Sequence, residues 1–438
     1  MTLLDLTPRV ADTDRLATLP VAIIGAGPIG LVAAAHLLER GLDFVVFEAG
    51  DDIAASVRSW GHTRLFSPWR HLVDPVALRL LEEQGWQHPE PGAAPTGREL
   101  VERYLEPLAR MEEIASRIRL RTEVVAVARE GMDRTRTRAR AATPFAVRVR
   151  TDDGEIVDVA ARAVIDASGT YRSPNPLSSS GLDLLGSDEI ADHVMPALPD
   201  VLGRDRAVFA GRRTLVVGAG HSAANTLLAL AELARDEPGT TAAWAIRNSQ
   251  AVRVSSSADD ELADRARLGS RVDRAIADGL IEVIDGFEIE RGRRAAGGVE
   301  LTGTRRGRLE TLRADVVVRA TGFRPDLGIL REIRLELDDV VEAPKRLAPL
   351  IDPNVHLCGT VEPHGFRELQ HPEPGFFVVG MKSYGRAPTF LLATGYEQVR
   401  SVTAWMAGDA AAAAKVELVL PATGVCSTDS ARAGGCCS

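Results

Sequence analysis

The chain has 438 residues, room for two or three domains, and 45% apolar with 26% charged residues is the balance of a folded globular protein rather than a disordered one. A formal net charge of −9 argues against nucleic acid as the main partner, because a phosphate backbone calls for a basic surface. Four cysteines are too few for a disulfide scaffold in a chain this long, which points to a reducing cytoplasm.

Residues 1–19 form an N-terminal extension of mixed charge without the basic-then-apolar layout of a signal peptide. The apolar run Val21–Leu38 is long enough to suggest a membrane span, but Gly25, Gly27, Pro28 and Gly30 divide it. It reads instead as a strand, a tight turn and a helix from about Leu31 to Arg40, followed by the strand Phe44–Phe47 ending on Glu48. Strand-like pieces follow at Thr122–Ala128 and Phe145–Arg150. The arginine-rich Arg134–Arg140 between them reads as a solvated hairpin tip rather than an anion site. Ala163-Val-Ile-Asp-Ala-Ser-Gly169 closes this unit.

A second unit repeats the plan. Thr214–Val217 leads into Gly218-Ala-Gly220-His-Ser222-Ala223, a helix to about Arg235, and the strand Thr241–Ile246 ending on Arg247. Strand-like pieces at Ile281–Ile284, Glu300–Thr302 and Leu309–Leu312 precede Asp315-Val-Val-Val-Arg-Ala-Thr-Gly322. The chain then runs through Asn354–Gly359 and the strand Gly375–Gly380. A turn, Met381–Ala387, leads to a helix from about Pro388 to Met406, proline being a common first helical residue. The expectation is an α/β fold of two Rossmann-like dinucleotide-binding domains, each a three-layer ββα arrangement. The expected divisions are an FAD-binding domain of residues 20–200 and 325–408, an NADPH-binding domain of residues 201–324 inserted in it, and a cysteine-containing tail of residues 409–438 with a short strand at Val416–Leu420.

The two glycine turns carry the chemistry. In Gly25-x-Gly27-x-x-Gly30 the first glycine allows the tight turn, the second lets a pyrophosphate approach the backbone, and the third lets helix and strand pack closely. A diphosphate binds the free N–H groups and partial positive charge of the helix start. Glu48, 23 residues after Gly25, accepts hydrogen bonds from ribose hydroxyls and repels a 2′-phosphate, which suits FAD or NAD. In Gly218-x-Gly220-x-x-Ala223 alanine takes the third place, and Arg247 stands where the acid would be. Its planar fork of donors suits the 2′-phosphate of NADPH. Ser222 either caps the second helix or touches a phosphate. FAD held at the first turn and NADPH visiting the second would let hydride pass between them.

Gly25-Ala-Gly-Pro28-Ile-Gly30, Glu48, Gly218-Ala-Gly-His-Ser-Ala223 and Ala320-Thr-Gly322 together resemble the two-dinucleotide flavoproteins, and the second turn is most similar to that of flavin-containing monooxygenases. Pro199-Asp-Val-Leu-Gly203 and Gly380-Met-Lys-Ser-Tyr-Gly-Arg-Ala-Pro388 resemble a bacterial subgroup with members encoded in arsenic-resistance operons. The resemblance implies FAD contacts at Gly25, Gly27, Pro28, Gly30, Glu48, Val124, Gly169, Gly380, Met381 and Thr389, with Arg58 and Trp60 near the ring. It implies NADPH contacts at Gly218, Gly220, Ser222, Ala223 and Arg247, and Gly322 is a further cofactor-binding candidate. Arg386 is the candidate catalytic residue, holding NADPH or an oxygenated flavin by charge. One departure stands out. The monooxygenase pattern Phe-x-Gly-x-x-x-His begins at Phe209-Ala-Gly211, but Leu215 occupies the histidine's place; His193 lies in a separate segment.

The implied activity is an NADPH-dependent monooxygenase that forms a flavin C4a-peroxide and oxygenates a soft nucleophile (nitrogen, sulfur or As(III)), with O2 and a small molecule as its partners. The alternatives are an NADPH oxidase or disulfide reductase, and a metalloid-binding flavoprotein module. No Cys-x-x-Cys precedes Val425, and Cys358 reads as a core thiol. Cys426 and the adjacent Cys436 and Cys437 are candidate thiolates for a metalloid, or else incidental residues of a frayed terminus.

Overall fold

The computed structural model describes residues 13–247, 263–352, 363–387 and 390–418. Two parallel five-stranded sheets organise them. The first runs, in spatial order, Phe376–Val378, Ala163–Asp166, Val21–Ile24, Phe44–Phe47, Ile118–Arg119. The second runs Ile281–Ile284, Thr241–Ala245, Arg213–Val217, Val316–Arg319, Val194–Met195. The central strand of the first, Val21–Ile24, is a short unbroken apolar run because both faces are covered, and that of the second, Arg213–Val217, is buried from Thr214 onward.

Alternate residues enter different cores. Val21, Ile23, Val46 and Ile165 face the helix Pro28–Glu39, whereas Ala22, Ile24, Phe47 and Val164 face a three-stranded antiparallel sheet of Glu123–Arg129, Phe145–Arg150 and Ile156–Ala161. In the second unit Val216 and Val318 face the helix His221–Asp236, whereas Leu215 and Val317 face the antiparallel sheet Phe287–Ala295, Gly298–Arg305 and Arg308–Ala314. The fold is therefore α/β with two Rossmann-like units, each with a parallel sheet between a helical and an antiparallel layer.

The first sheet takes strands from both sides of the second sheet's segment, since Phe376–Val378 returns to pair with Ala163–Asp166. The second sheet takes in Val194–Met195, on the near side of the boundary expected at 200/201. Several local readings are corrected. The first helix starts at Pro28, three residues early, because proline's fixed φ suits the first turn. The strand Phe287–Ala295 was not anticipated, its seven central and terminal polar or small residues hiding an alternation that only its partner strand completes. The closing helix begins at Leu392, after the uncapped Leu391, not at Pro388. No strand forms at 416–418. Asn354–Gly359 with Cys358, and Pro388 and Thr389, lie outside the described residues, as do Cys426, Cys436 and Cys437.

The arginine-rich segment is also corrected at one end. Arg140 is buried, not solvated: its Nε lies 2.9 Å from Glu373 Oε2, while Arg129 Nε donates to Glu373 Oε1 at 2.8 Å. Arg129 lies over the Phe145 ring, 3.6 Å from its centroid. Burial pushes the Glu373 carboxyl up, but the bonds from Arg140 and Arg129 outweigh it and hold the pKa below its ordinary value. One acid thus ties the first hairpin sheet to the start of the returning strand. Glu373→Gln leaves two buried guanidinium groups without a counter-charge and is expected to cost about 3–5 kcal/mol, read as a fall in thermal midpoint.

Candidate functional site

In an open α/β sheet the ligand crevice lies at the carboxyl ends of the strands, and in each sheet here one glycine turn follows the central strand at that edge. In the first, Gly25 has φ +97°, and its N–H donates to the Phe47 carbonyl at 2.7 Å. A Cβ at Gly30 would run into the Gly25 carbonyl oxygen, so the helix lies on the turn only if that residue is glycine. Gly27 is the helix N-cap, in an extended conformation and without any side-chain cap. A Cβ there would meet nothing within 4 Å. The helix following Pro28 therefore presents its first-turn N–H groups to open space.

Glu48 sits at the end of the neighbouring strand with both carboxylate oxygens already oriented. Oε2 accepts from Ala26 N and Oε1 from Gly50 N, each at 2.8 Å. Each oxygen keeps lone-pair capacity for a hydroxyl. Thr122 N donates to the Glu48 carbonyl, which brings Val124 close to the acid; the Val124 side chain itself is buried in the core. Gly169, φ +69°, follows the closing strand and faces open space.

Arg58 is spent within the protein, and Trp60 is packed on one side. Arg58 donates to the Ile53 carbonyl at 3.0 Å and to Glu106 at 2.8 Å, and pairs with Asp52, so it staples one short helix to its neighbours. Trp60 packs over Gly97, where a Cβ would lie 2.7 Å from the ring. Gly380, φ +69°, abuts Ile29 of the first helix, but its N–H is taken by Gln398 Oε1 at 2.7 Å, so this amide is not offered to a phosphate. Met381 follows it, half-buried. Arg386 is exposed, with its own N–H fixed to the Val341 carbonyl at 2.7 Å and no carboxylate on its guanidinium among the described residues.

The second crevice has the same plan and the opposite charge. Gly218, φ +126°, abuts the Ala320 carbonyl too closely for any side chain, and Gly220 is an uncapped N-cap facing open space. Ala223 is fully buried, so here the helix stands off far enough to admit a methyl. Gly220, not Ser222, occupies the cap position. Ser222 is the second helical residue, and its hydroxyl makes no hydrogen bond among the described residues, which removes the capping alternative. Arg247 is exposed and no acid pairs with it among the described residues. Gly322, φ +83°, lies under Asn175, which donates to the Thr321 carbonyl at 3.2 Å. It belongs to the crossing between the two units. His193 bonds to the Asp315 carbonyl at 3.0 Å, and Leu215 is a buried strand residue; neither faces a crevice.

Sequence reading missed several residues around the two glycine turns. Asp166 ends the closing strand opposite Ile24, and Arg319 holds the equivalent place opposite Val217 in the second sheet. Gly395, in the first turn of the closing helix, abuts Ile29, so that helix starts close to the start of Pro28–Glu39. Phe66, from the first unit, meets the His221 ring at 5.2 Å at the start of the second helix. An acid inside the apolar run Ala163–Gly169 was the one available signal. Among the described residues no cluster of His, Cys, Asp or Glu could hold a metal, and no helix is long and apolar enough to cross a membrane.

Residues 22–348 match the family model of pyridine nucleotide-disulphide oxidoreductases. Over 199 residues, 40% of this chain and 40% of the relative, the sequence is 30% identical to flavin-containing monooxygenase FMO GS-OX-like 7 of Arabidopsis thaliana. The chain spans about half the length, or less, of the curated relatives it matches. Among solved structures, bacillithiol disulfide reductase from Bacillus cereus superposes with a TM-score of 0.65 at 20% identity, over 89% of this chain and 99% of that one. Ornithine N-hydroxylase from Kutzneria sp. 744, solved with reduced FAD, NADP+ and L-ornithine, superposes with a TM-score of 0.60 at 18% identity, over 89% and 100%. Both likenesses are likenesses of fold.

The steric argument at the first turn makes a direct prediction. Gly30→Ala is expected to abolish retention of FAD on purification, read as loss of flavin absorbance. NADPH affinity should change less than twofold, because the clash is confined to the first turn; at the second, the third position already carries the Ala223 methyl.

Proposed function

The chain belongs to the pyridine nucleotide-disulphide oxidoreductase family, and from that premise we propose that it is an NADPH-dependent flavoprotein monooxygenase acting on a soft nucleophile. The observation that carries the reading is the opposed charge of two crevices built on one plan. An oriented acid, Glu48, stands at the first uncapped helix, and two guanidinium groups that have no acid partner among the described residues, Arg247 and Arg319, belong to the second unit. The acid accepts ribose hydroxyls and rejects a 2′-phosphate, so FAD takes the first crevice; the guanidinium groups attract that phosphate, so NADPH takes the second.

FAD, when bound, accepts hydride from NADPH and passes electrons to O2. The chain's own residues bind, orient and exclude water. Gly25, Gly27 and Gly30 let a pyrophosphate reach the first-turn N–H groups, Glu48 fixes the ribose, and the starts of Pro28–Glu39 and Leu392–Met406 bring two positive helix ends near each other. Ser222 offers a hydroxyl and Arg247 a guanidinium, neither engaged among the described residues, to the second nucleotide. The balanced reaction consumes NADPH, a proton, O2 and substrate, and yields NADP+, water and the oxygenated substrate. The substrate class is a nitrogen or sulfur nucleophile, with As(III) in the same soft class.

A second reading is favoured by the path of the last described residues. Arg400 bonds to the Ala412 carbonyl at 2.7 Å, and Glu417 N bonds to Glu397 Oε1 at 3.2 Å. The chain thus runs back along the closing helix toward its start, in the direction of the first crevice. In that reading electrons pass to a disulfide or metalloid carried by Cys426, Cys436 and Cys437.

Under 18O2, one labelled oxygen per NADPH is expected in the product of a thioether, amine or arsenite. Hydrogen peroxide released one-for-one with NADPH, with no label in any product, overturns the monooxygenase reading. Arg247→Glu is expected to raise KM for NADPH at least tenfold while changing KM for NADH less than threefold; equal effects on both would remove Arg247 from the second site.

A further inference from the structure

Of the 52 basic residues counted as Lys plus Arg, three are lysines (Lys345, Lys382, Lys415), which leaves 49 arginines. Lys345 and Lys415 are exposed and pair with Glu336 and Glu417. Lys382 is different: its side chain is 1% exposed and its partner Asp166 is 0% exposed. A chain that uses arginine almost everywhere places a compact ammonium at this one buried point. The ammonium suits a narrow site with acceptors on different sides, where the planar guanidinium fork does not.

The setting gives the cation a task. Lys382 Nζ lies 2.6 Å from Asp166 Oδ2 and 3.0 Å from Ser168 Oγ, while Ser168 donates to Asp166 Oδ1 through both its N–H (3.1 Å) and its hydroxyl (2.6 Å). Asp166 is the last paired residue of the closing strand, and Ser168 Cα lies 3.1 Å from where a Gly25 Cβ would stand. The ion pair therefore lies beside the turn that receives the pyrophosphate. The duplication sharpens the point, because the equivalent residue in the second crevice is Arg319. The second unit meets its nucleotide with a cation there. The first has an acid, which left alone would repel a diphosphate from a poorly screened position. Two of the three ammonium protons are used; the third has no acceptor among the described residues. Lys382 also ties the Gly380–Tyr384 turn to the closing strand, and Gln398 holds that turn from the other side through Gly380 N and Ser383 Oγ.

We propose that Lys382 is a positioning residue for FAD: by neutralising Asp166 beside the Gly25 turn it makes the first crevice acceptable to the diphosphate and sets the charge felt by the flavin. This rests on the reading of the first crevice as the FAD site. A buried pair is weak evidence for stability in itself, and replacing both members by neutral groups is often tolerated where removing one is not.

The test uses full-length protein stripped of flavin, with calorimetric titration of FAD and circular dichroism melts as a folding control. Parent protein that fails to bind FAD ends the FAD reading, and the proposal with it. Given parent binding, Lys382→Met is expected to raise Kd for FAD at least tenfold, to lower the flavin midpoint potential in the protein that does load, and to change Kd for NADPH less than twofold. The double variant Asp166→Asn/Lys382→Met carries the same loss of lysine packing without the stranded carboxylate. It is expected to bring Kd for FAD back to within about threefold of the parent and to restore the potential. If Lys382→Met does not fold, the double variant against the parent decides alone. A double variant that binds FAD tenfold more weakly than the parent, or a single variant that binds like the parent, overturns the proposal while leaving the FAD site standing.

Discussion

Two helices that begin without a cap set the terms for the rest of this structure. Gly27 and Gly220 occupy the cap positions, have no side chain to accept a hydrogen bond, and face open space. The first-turn N–H groups of an α-helix have no partner inside the helix, and the end carries roughly half a positive charge. Each helix here is packed against its sheet so that this end lies at the carboxyl edge of the strands. On the proposed reading an anion is the partner of both starts, and the turn glycines let it come close.

From that shared constraint the two units diverge by a few side chains. The third position of the turn is glycine in the first, where the Gly25 carbonyl leaves no room, and alanine in the second, where the methyl is buried. The strand beside the turn ends near Glu48 in one and Arg247 in the other. The closing strands end in Asp166 and Arg319. A duplicated scaffold thus places acids beside one glycine turn and, beside the other, guanidinium groups without a carboxylate partner among the described residues. On the proposal above, the pairing of Asp166 is the reason a lysine is buried in a chain that otherwise relies on arginine.

The return of the chain to its first sheet is what completes the first crevice. Phe376–Val378 lies beside Ala163–Asp166, and the Gly380–Tyr384 turn then sits against Ile29. Gly395 lets the closing helix approach the same isoleucine, so the starts of two helices converge on one side chain. Glu373, held between Arg129 and Arg140, anchors the segment just before this return. Residues more than 200 positions apart are therefore needed for one site, as in the 2.6 Å contact of Lys382 with Asp166.

The two strand–turn–helix units were readable in the chain because they depend on local chemistry. The runs Val21–Ile24 and Thr214–Val217, each followed by spaced glycines and an apolar helix, admit one backbone path, and Glu48 and Arg247 follow at fixed distances along it. What each side chain does at the site was decided elsewhere. Arg58 and Arg140 look like free cations in the sequence, but tertiary neighbours supply their carboxylates. Gly380 looks like a phosphate donor until Gln398, eighteen residues on, occupies its N–H. The pairing of Asp166 with Lys382 joins segments on either side of the second unit. Backbone geometry is set by neighbours in the chain, whereas the partner of a buried charge is set by whatever the completed packing brings within about 3 Å, and no spacing in a one-dimensional string encodes that.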